Sequence, residues 1–124
     1  VKIMKNKNLI SSFKYAFQGI GTVIKKERNM KIHIMMMTLV IISGIIFKIS
    51  TMEWFTCIIL FALVIGSEMI NTAIETVVDL VMPNINDKAK ITKDSAAGAV
   101  LVQAIAASII GLIIFMPKCI SLFK

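Results

Sequence analysis

Glu68, Asn71, Glu75 and Asp79 recur at steps of three, four and four in the stretch Glu-Met-Ile-Asn-Thr-Ala-Ile-Glu-Thr-Val-Val-Asp. At about 3.6 residues per turn, these four side chains share one face of a helix. The same stretch continues an apolar run that begins at Trp54. Two carboxylates and an amide are therefore carried down a helix that starts in hydrocarbon. Ionisable groups there are costly and by default mark a functional site. The competing reading is an aqueous helix end with a solvated polar stripe. It suits Asp79 but not Glu68, which follows the apolar run at 62–66 and precedes Met69-Ile70.

Further hard oxygen ligands stand at Glu27 and Asp94, beside Lys93. Oxygen-only sites suit Mg²⁺, which is typically bound by one or two carboxylates plus substrate phosphates. A lysine adds a point charge suited to phosphate. No Walker loop or dinucleotide fingerprint is present, and Gly19-Ile20-Gly21 alone is a weak signal. The one histidine, His33, reads as an interfacial residue rather than a ligand. Glu68 lies ~10 Å deeper along its helix than Glu75, where a lipid hydroxyl would sit. A carboxylate taken out of water accepts a proton readily, which suits a general base. The spacing suggests phosphoryl transfer across the interface, with a metal–nucleotide on the water side and a lipid alcohol on the membrane side. A proton-conducting or transport role explains a buried Glu almost as well.

The elements that must position these groups read as membrane elements. The chain has 124 residues, 57% of them hydrophobic, with a mean hydropathy of +0.85, which fits a single membrane domain. The net charge of +7 lies beside apolar spans without interleaved aromatics, so anionic lipid headgroups fit better than nucleic acid. Cys57 and Cys119 have no metal-ligand spacing and read as two inert thiols. No cleavable signal peptide is expected, since the first apolar run starts late and no small-residue cleavage site follows it.

Residues 1–10, with Lys2, Lys5 and Lys7, read as a short, poorly ordered basic tail. From 12 to 26, Phe13, Ala16, Phe17, Ile20, Val23 and Ile24 give an amphipathic surface helix. Gly19 and Gly21 weaken it and suggest close approach of a backbone or ligand. Three transmembrane helices are predicted over 32–49, 54–82 and 95–116, the second extending into the cytoplasm. The first covers ~27 Å, about a bilayer core. The turn at 50–53 makes the first two an antiparallel hairpin, and Pro83 to Thr92 reads as a polar loop. In the third span, Ala99, Gln103, Ala107 and Gly111 form a small-or-polar stripe of the kind that packs helices, and Pro117 closes it. Eleven of the fourteen Lys and Arg lie within residues 1–31 or 83–94. By the positive-inside rule those segments are cytoplasmic and the C-terminus is outside. The fold class is therefore an all-α membrane protein, a surface helix followed by three spans. A three-helix bundle looks too thin to bury Glu68, Asn71 and a substrate together, so association is expected.

Four pieces of the sequence carry a resemblance. They are Glu27-Arg28-Asn29, Glu68-x-x-Asn71-Thr72-Ala73-Ile74-Glu75-x-x-x-Asp79, Lys93-Asp94, and Ala96 to Leu101. In this order the chain resembles the small bacterial membrane lipid kinases, the diacylglycerol kinase and undecaprenol kinase family, over about residues 12 to 116. The resemblance implies ATP with Mg²⁺ as donor, the bacterial plasma membrane as location, and a homotrimer with sites shared between protomers. By it, Glu68 corresponds to the catalytic base and contacts the lipid alcohol, and Asn71 helps orient it. Glu27 and Glu75 correspond to metal carboxylates. Tyr15, Glu27, Glu75, Asp79, Lys93 and Asp94 correspond to nucleotide-site residues. The chain departs from relatives at Asn8, where some place an Arg, at Thr92, where an Ala usually stands, and in Asn84-Ile85-Asn86. The Glu-Arg-Asn-x-Lys-x-His form is similar to the Gram-positive branch, which favours undecaprenol; the alternative acceptor is diacylglycerol. A transporter would need polar groups along a whole pore, yet 34–47 and 55–65 offer almost none. A purely structural subunit leaves the Glu68–Asp79 face without a reason.

Overall fold

The computed structural model describes residues 8–124. The basic segment with Lys2, Lys5 and Lys7 lies outside them. Four helices follow one another: α1 (Leu9–Lys26), α2 (Arg28–Phe47), α3 (Thr51–Val81) and α4 (Asp87–Ser121). The last three are each long and apolar enough to cross a membrane. The protein is thus an all-α, multi-pass membrane protein with three spans after an N-terminal helix.

α1 is capped by Asn8, whose side-chain oxygen accepts the Ser11 N–H at 2.8 Å. Leu9, Ile10, Phe13 and Phe17 stay exposed along it, as a helix lying in an interface requires. A Cβ at Gly19 or Gly21 would meet nothing within 4 Å, so the close approach expected there does not occur among the described residues of this chain. One extended residue, Glu27, separates α1 from α2. The helix that carries the first span accordingly begins at Arg28, four residues before Ile32, with Met30 fully buried.

α2 ends on Lys48 in the left-handed region (φ 52°). The Ile49 N–H then closes on the Gly44 carbonyl at 3.1 Å, the wrap that commonly ends helices. α3 starts at once, three residues ahead of Trp54, because Ser50 and Glu53 form a reciprocal cap: Ser50 N–H donates to Glu53 Oε1 at 2.9 Å and Glu53 N–H to Ser50 Oγ at 3.2 Å. Glu53 Oε2 also accepts from Lys118 of α4 at 2.8 Å. Above this end, Ile49, Cys57 and Ile114 form an apolar core, flanked by Phe47 and Phe115 with ring centroids 6.3 Å apart.

A Cβ on Gly44 would sit 2.7 Å from the rim of the Trp54 indole. Gly44→Val is therefore expected to lose about 1–3 kcal/mol by overpacking, read as a lower melting temperature in detergent. An unchanged melting temperature would mean that Trp54 swings clear.

α4 begins eight residues before Ser95, so most of the expected polar loop is helix. Asn86 caps it, accepting from the Lys88 and Ala89 N–H groups at 2.9 and 3.2 Å, and Lys90 pairs with Asp94 one turn on. At the other end α4 runs past Pro117 to Ser121, where the Lys118 ammonium donates to the Ile114 carbonyl at 2.9 Å. α3 and α4 pack most extensively, α2 leans mainly on α3, and α1 touches both α2 and α3. At Gly111 the small-residue stripe does not meet a neighbouring backbone. A Cβ at Gly111 would meet nothing within 4 Å, and Ala107 and Gly111 line a cavity.

Candidate active site

The inward face of α3 changes character along its length. Cys57 and Val64 are buried first, then Glu68, Asn71 and Thr72. This is the helical repeat of the sequence, apolar for two turns and polar thereafter. Glu68 is only 1% exposed and Asn71 5%. A single chain suffices to bury both side chains.

Burial leaves these groups poorly satisfied. His33 of α2 brings Nε2 to 3.4 Å from Glu68 Oε2, but without hydrogen-bond alignment, so Oε2 has no donor. Asn71 Nδ2 donates to Glu75 Oε1 at 3.0 Å, while Asn71 Oδ1 is unpaired. The bond that Asn71 makes is thus to Glu75, not to Glu68, which it was expected to orient. Thr72 Oγ1 and Gln103 Oε1 are also buried without partners. Buried polar atoms are normally paired, and a lone carboxylate in apolar surroundings lowers stability. The cluster is therefore poorly explained as a stabilising feature.

An apolar cavity of about 410 Å³ lies between α2, α3 and α4. His33 stands at its polar end, and Met37, Leu60, Phe61, Ala107 and Phe115 form its walls. Its lining on α3 is Cys57, Leu60, Phe61, Val64 and Ile65, the turns immediately before Glu68. Ser108 also lines it, but its hydroxyl is spent on the Ala104 carbonyl at 2.8 Å.

On the other side of Glu68 the groups are charged. Lys93 of α4 pairs with Asp79 of α3. That hydrogen bond, with a smaller contribution from Glu75, holds the Lys93 ammonium above its usual range, so Lys93 stays charged at neutral pH. Asp94 pairs with Lys90 instead. Tyr15 and Glu27 stay outside this bonded group. Tyr15 is exposed on α1, and Glu27 is half-buried at the α1–α2 junction, where its side chain makes no capping bond. Among the described residues, no three His, Cys, Asp or Glu side chains converge as a metal cage. The available carboxylates suit a cation that arrives with phosphate oxygens of its own.

Local sequence reasoning reads His33 as interfacial and does not state that the fold sets it against Glu68. Its signal was its place at the head of His33, Met36, Met37 and Val40, the helical series that lines the cavity from α2. Taken together, Glu68 is buried between an apolar cavity lined by His33, Val64 and Ile65 on one side and the Asn71–Glu75 and Lys93–Asp79 pairs on the other.

A family model described as prokaryotic diacylglycerol kinase matches residues 14–115. The chain is similar to an undecaprenol kinase of Bacillus subtilis, 41% identical over 107 residues, which covers 86% of this chain and 87% of that protein. It is also similar to a diacylglycerol kinase of Synechocystis, 38% identical over 116 residues, covering 93% of this chain and 66% of that protein.

Proposed function

Because the chain belongs to the prokaryotic diacylglycerol kinase family, whose members are ATP-dependent membrane lipid kinases, we propose that its acceptor is undecaprenol and its product undecaprenyl phosphate. The observation that carries the chemistry is the unpaired Glu68 oxygen buried next to the polar end of an apolar cavity. In this reading the lipid chain occupies the cavity and its hydroxyl reaches Glu68. Glu68 takes the hydroxyl proton as the lipid oxygen attacks the γ-phosphorus, and ADP leaves. Such transfer depends on positioning and charge neutralisation more than on covalent help from the protein.

Glu75 and Glu27 would hold Mg²⁺ accompanying ATP, and the cation would neutralise phosphate charge. Lys93, Asp79, Asp94 and Tyr15 surround the nucleotide in the same reading. Asn71 fixes Glu75 through the bond already described. Support for undecaprenol over diacylglycerol comes from the Bacillus relative, matched along most of its length, and from the Glu27–His33 segment. The N-terminus and the 83–94 segment face the cytoplasm, supported by the basic-residue bias. A homotrimer with shared sites belongs to the same proposal, and finding only monomers after crosslinking in native membranes would remove it.

The deciding experiment is ATP-dependent phosphorylation in detergent micelles, with undecaprenol and diacylglycerol supplied separately, with and without Mg²⁺. The expected result is faster, Mg²⁺-dependent turnover of undecaprenol. Faster turnover of diacylglycerol would reassign the acceptor. No transfer to either lipid would return Glu68 to a transport role.

A further inference from the structure

We infer that His33 is a positioning residue for Glu68: its Nε2–H donates to Glu68 Oε2 in the working complex and leaves Oε1 facing the acceptor hydroxyl. This rests on the proposed role of Glu68 as the base. The two side chains come from different helices and meet 3.4 Å apart, with 18% and 2% of their surfaces exposed. An interfacial histidine would turn its ring to the headgroups; this one is turned inward. No other ionisable side chain among the described residues pairs with either group.

The approach is too long for a charge-assisted hydrogen bond, which closes to about 2.7–2.9 Å. Catalytic hydrogen bonds are commonly long before substrate binds and tighten afterwards. A carboxylate has two equivalent oxygens, and without a donor on one of them it can turn either to the substrate. A donor on Oε2 removes that freedom. Because His33 also lines the cavity, a lipid filling the cavity presses on the same ring that would orient the base. In the reaction the hydroxyl proton passes to Glu68 Oε1, the lipid O–P bond forms and the bond from the γ-phosphorus to ADP breaks. His33 keeps its own proton throughout, and Glu68 returns its proton to water after the phosphorylated lipid leaves.

The test uses the full chain in micelles with His33→Ala, His33→Gln, Glu68→Gln and the double variant His33→Ala/Glu68→Gln. His33→Ala should lower kcat about 10²-fold, the cost of a misplaced reacting group, with KM for ATP and for lipid unchanged. His33→Gln, which keeps an N–H donor, should recover most of that loss. Added to Glu68→Gln, the alanine change should cost nothing more, because the group it positions is already gone. A wild-type kcat in a folded His33→Ala protein would overturn the inference. So would a loss expressed in lipid KM that recurs undiminished in the Glu68→Gln background, which would make His33 only a cavity wall. If Glu68→Gln itself stays active, the base assignment fails. If it is inactive while His33→Ala is not, only the positioning role fails.

Discussion

Glu68→Gln is expected to lower kcat for lipid phosphorylation by about 10²–10⁴-fold, the usual contribution of a general base, with the affinity for Mg-ATP unchanged. The amide matches the carboxylate in shape but cannot take a proton. The nucleotide side does not depend on that charge, because its groups are paired among themselves: the Asn71 amide with Glu75, and Lys93 with Asp79. The same substitution should leave the protein at least as stable. Glu68 is 1% exposed and its Oε2 accepts no hydrogen bond, so removing the ionised form removes a desolvation cost. Initial rates at saturating lipid, paired with melting in detergent, check both halves. Retained activity would remove Glu68 from the base role. Lost activity together with a lower melting temperature would point to a structural carboxylate instead.

Glu75→Ala should act on the other substrate. It is expected to raise KM for Mg-ATP about 10–100-fold, the range for losing one hydrogen bond to a charged group, with little change in lipid KM. Truncation strips the Asn71 amide of its 3.0 Å partner and leaves Lys93 with Asp79 as its remaining acidic neighbour on α3. Kinetics with ATP and lipid varied separately would read the split. Parent-like nucleotide KM would mean that the polyphosphate does not bind beside Glu75. The two substitutions lie two turns apart on one helix yet should fail in different parameters, one in turnover and one in nucleotide affinity.

The Glu68–Asp79 face was legible because a single helix carries it, and one helix has one period. The three spans were legible because hydrocarbon imposes length and composition together. What crosses between helices was not. His33 and Glu68 are 35 positions apart, and no local pattern states that they meet. The start of α4 was missed for a different reason. Residues 87–94 are polar enough to read as loop, whereas the Asn86 cap and the Lys90–Asp94 pair give a helix continuing out of the span. The stripe from Ala99 to Gly111 was read by its small size as a contact surface. Small side chains also leave room, and at Ala107 and Gly111 that room is a cavity.

The α3–α4 pair is tied by ions at both extremities, Lys118 to Glu53 at one and Lys93 to Asp79 at the other. The two acidic residues are ~39 Å apart along α3, so the pair behaves as a strut of fixed length with Glu68 at a fixed mark on it. Neither helix can slip by a turn against its neighbour without breaking both ties. A thicker or thinner bilayer is then met by tilting the strut as a whole. With Glu68 as the proposed base, the height at which an alcohol must present itself is written into the protein, and lipid composition adjusts it only through the angle of lean.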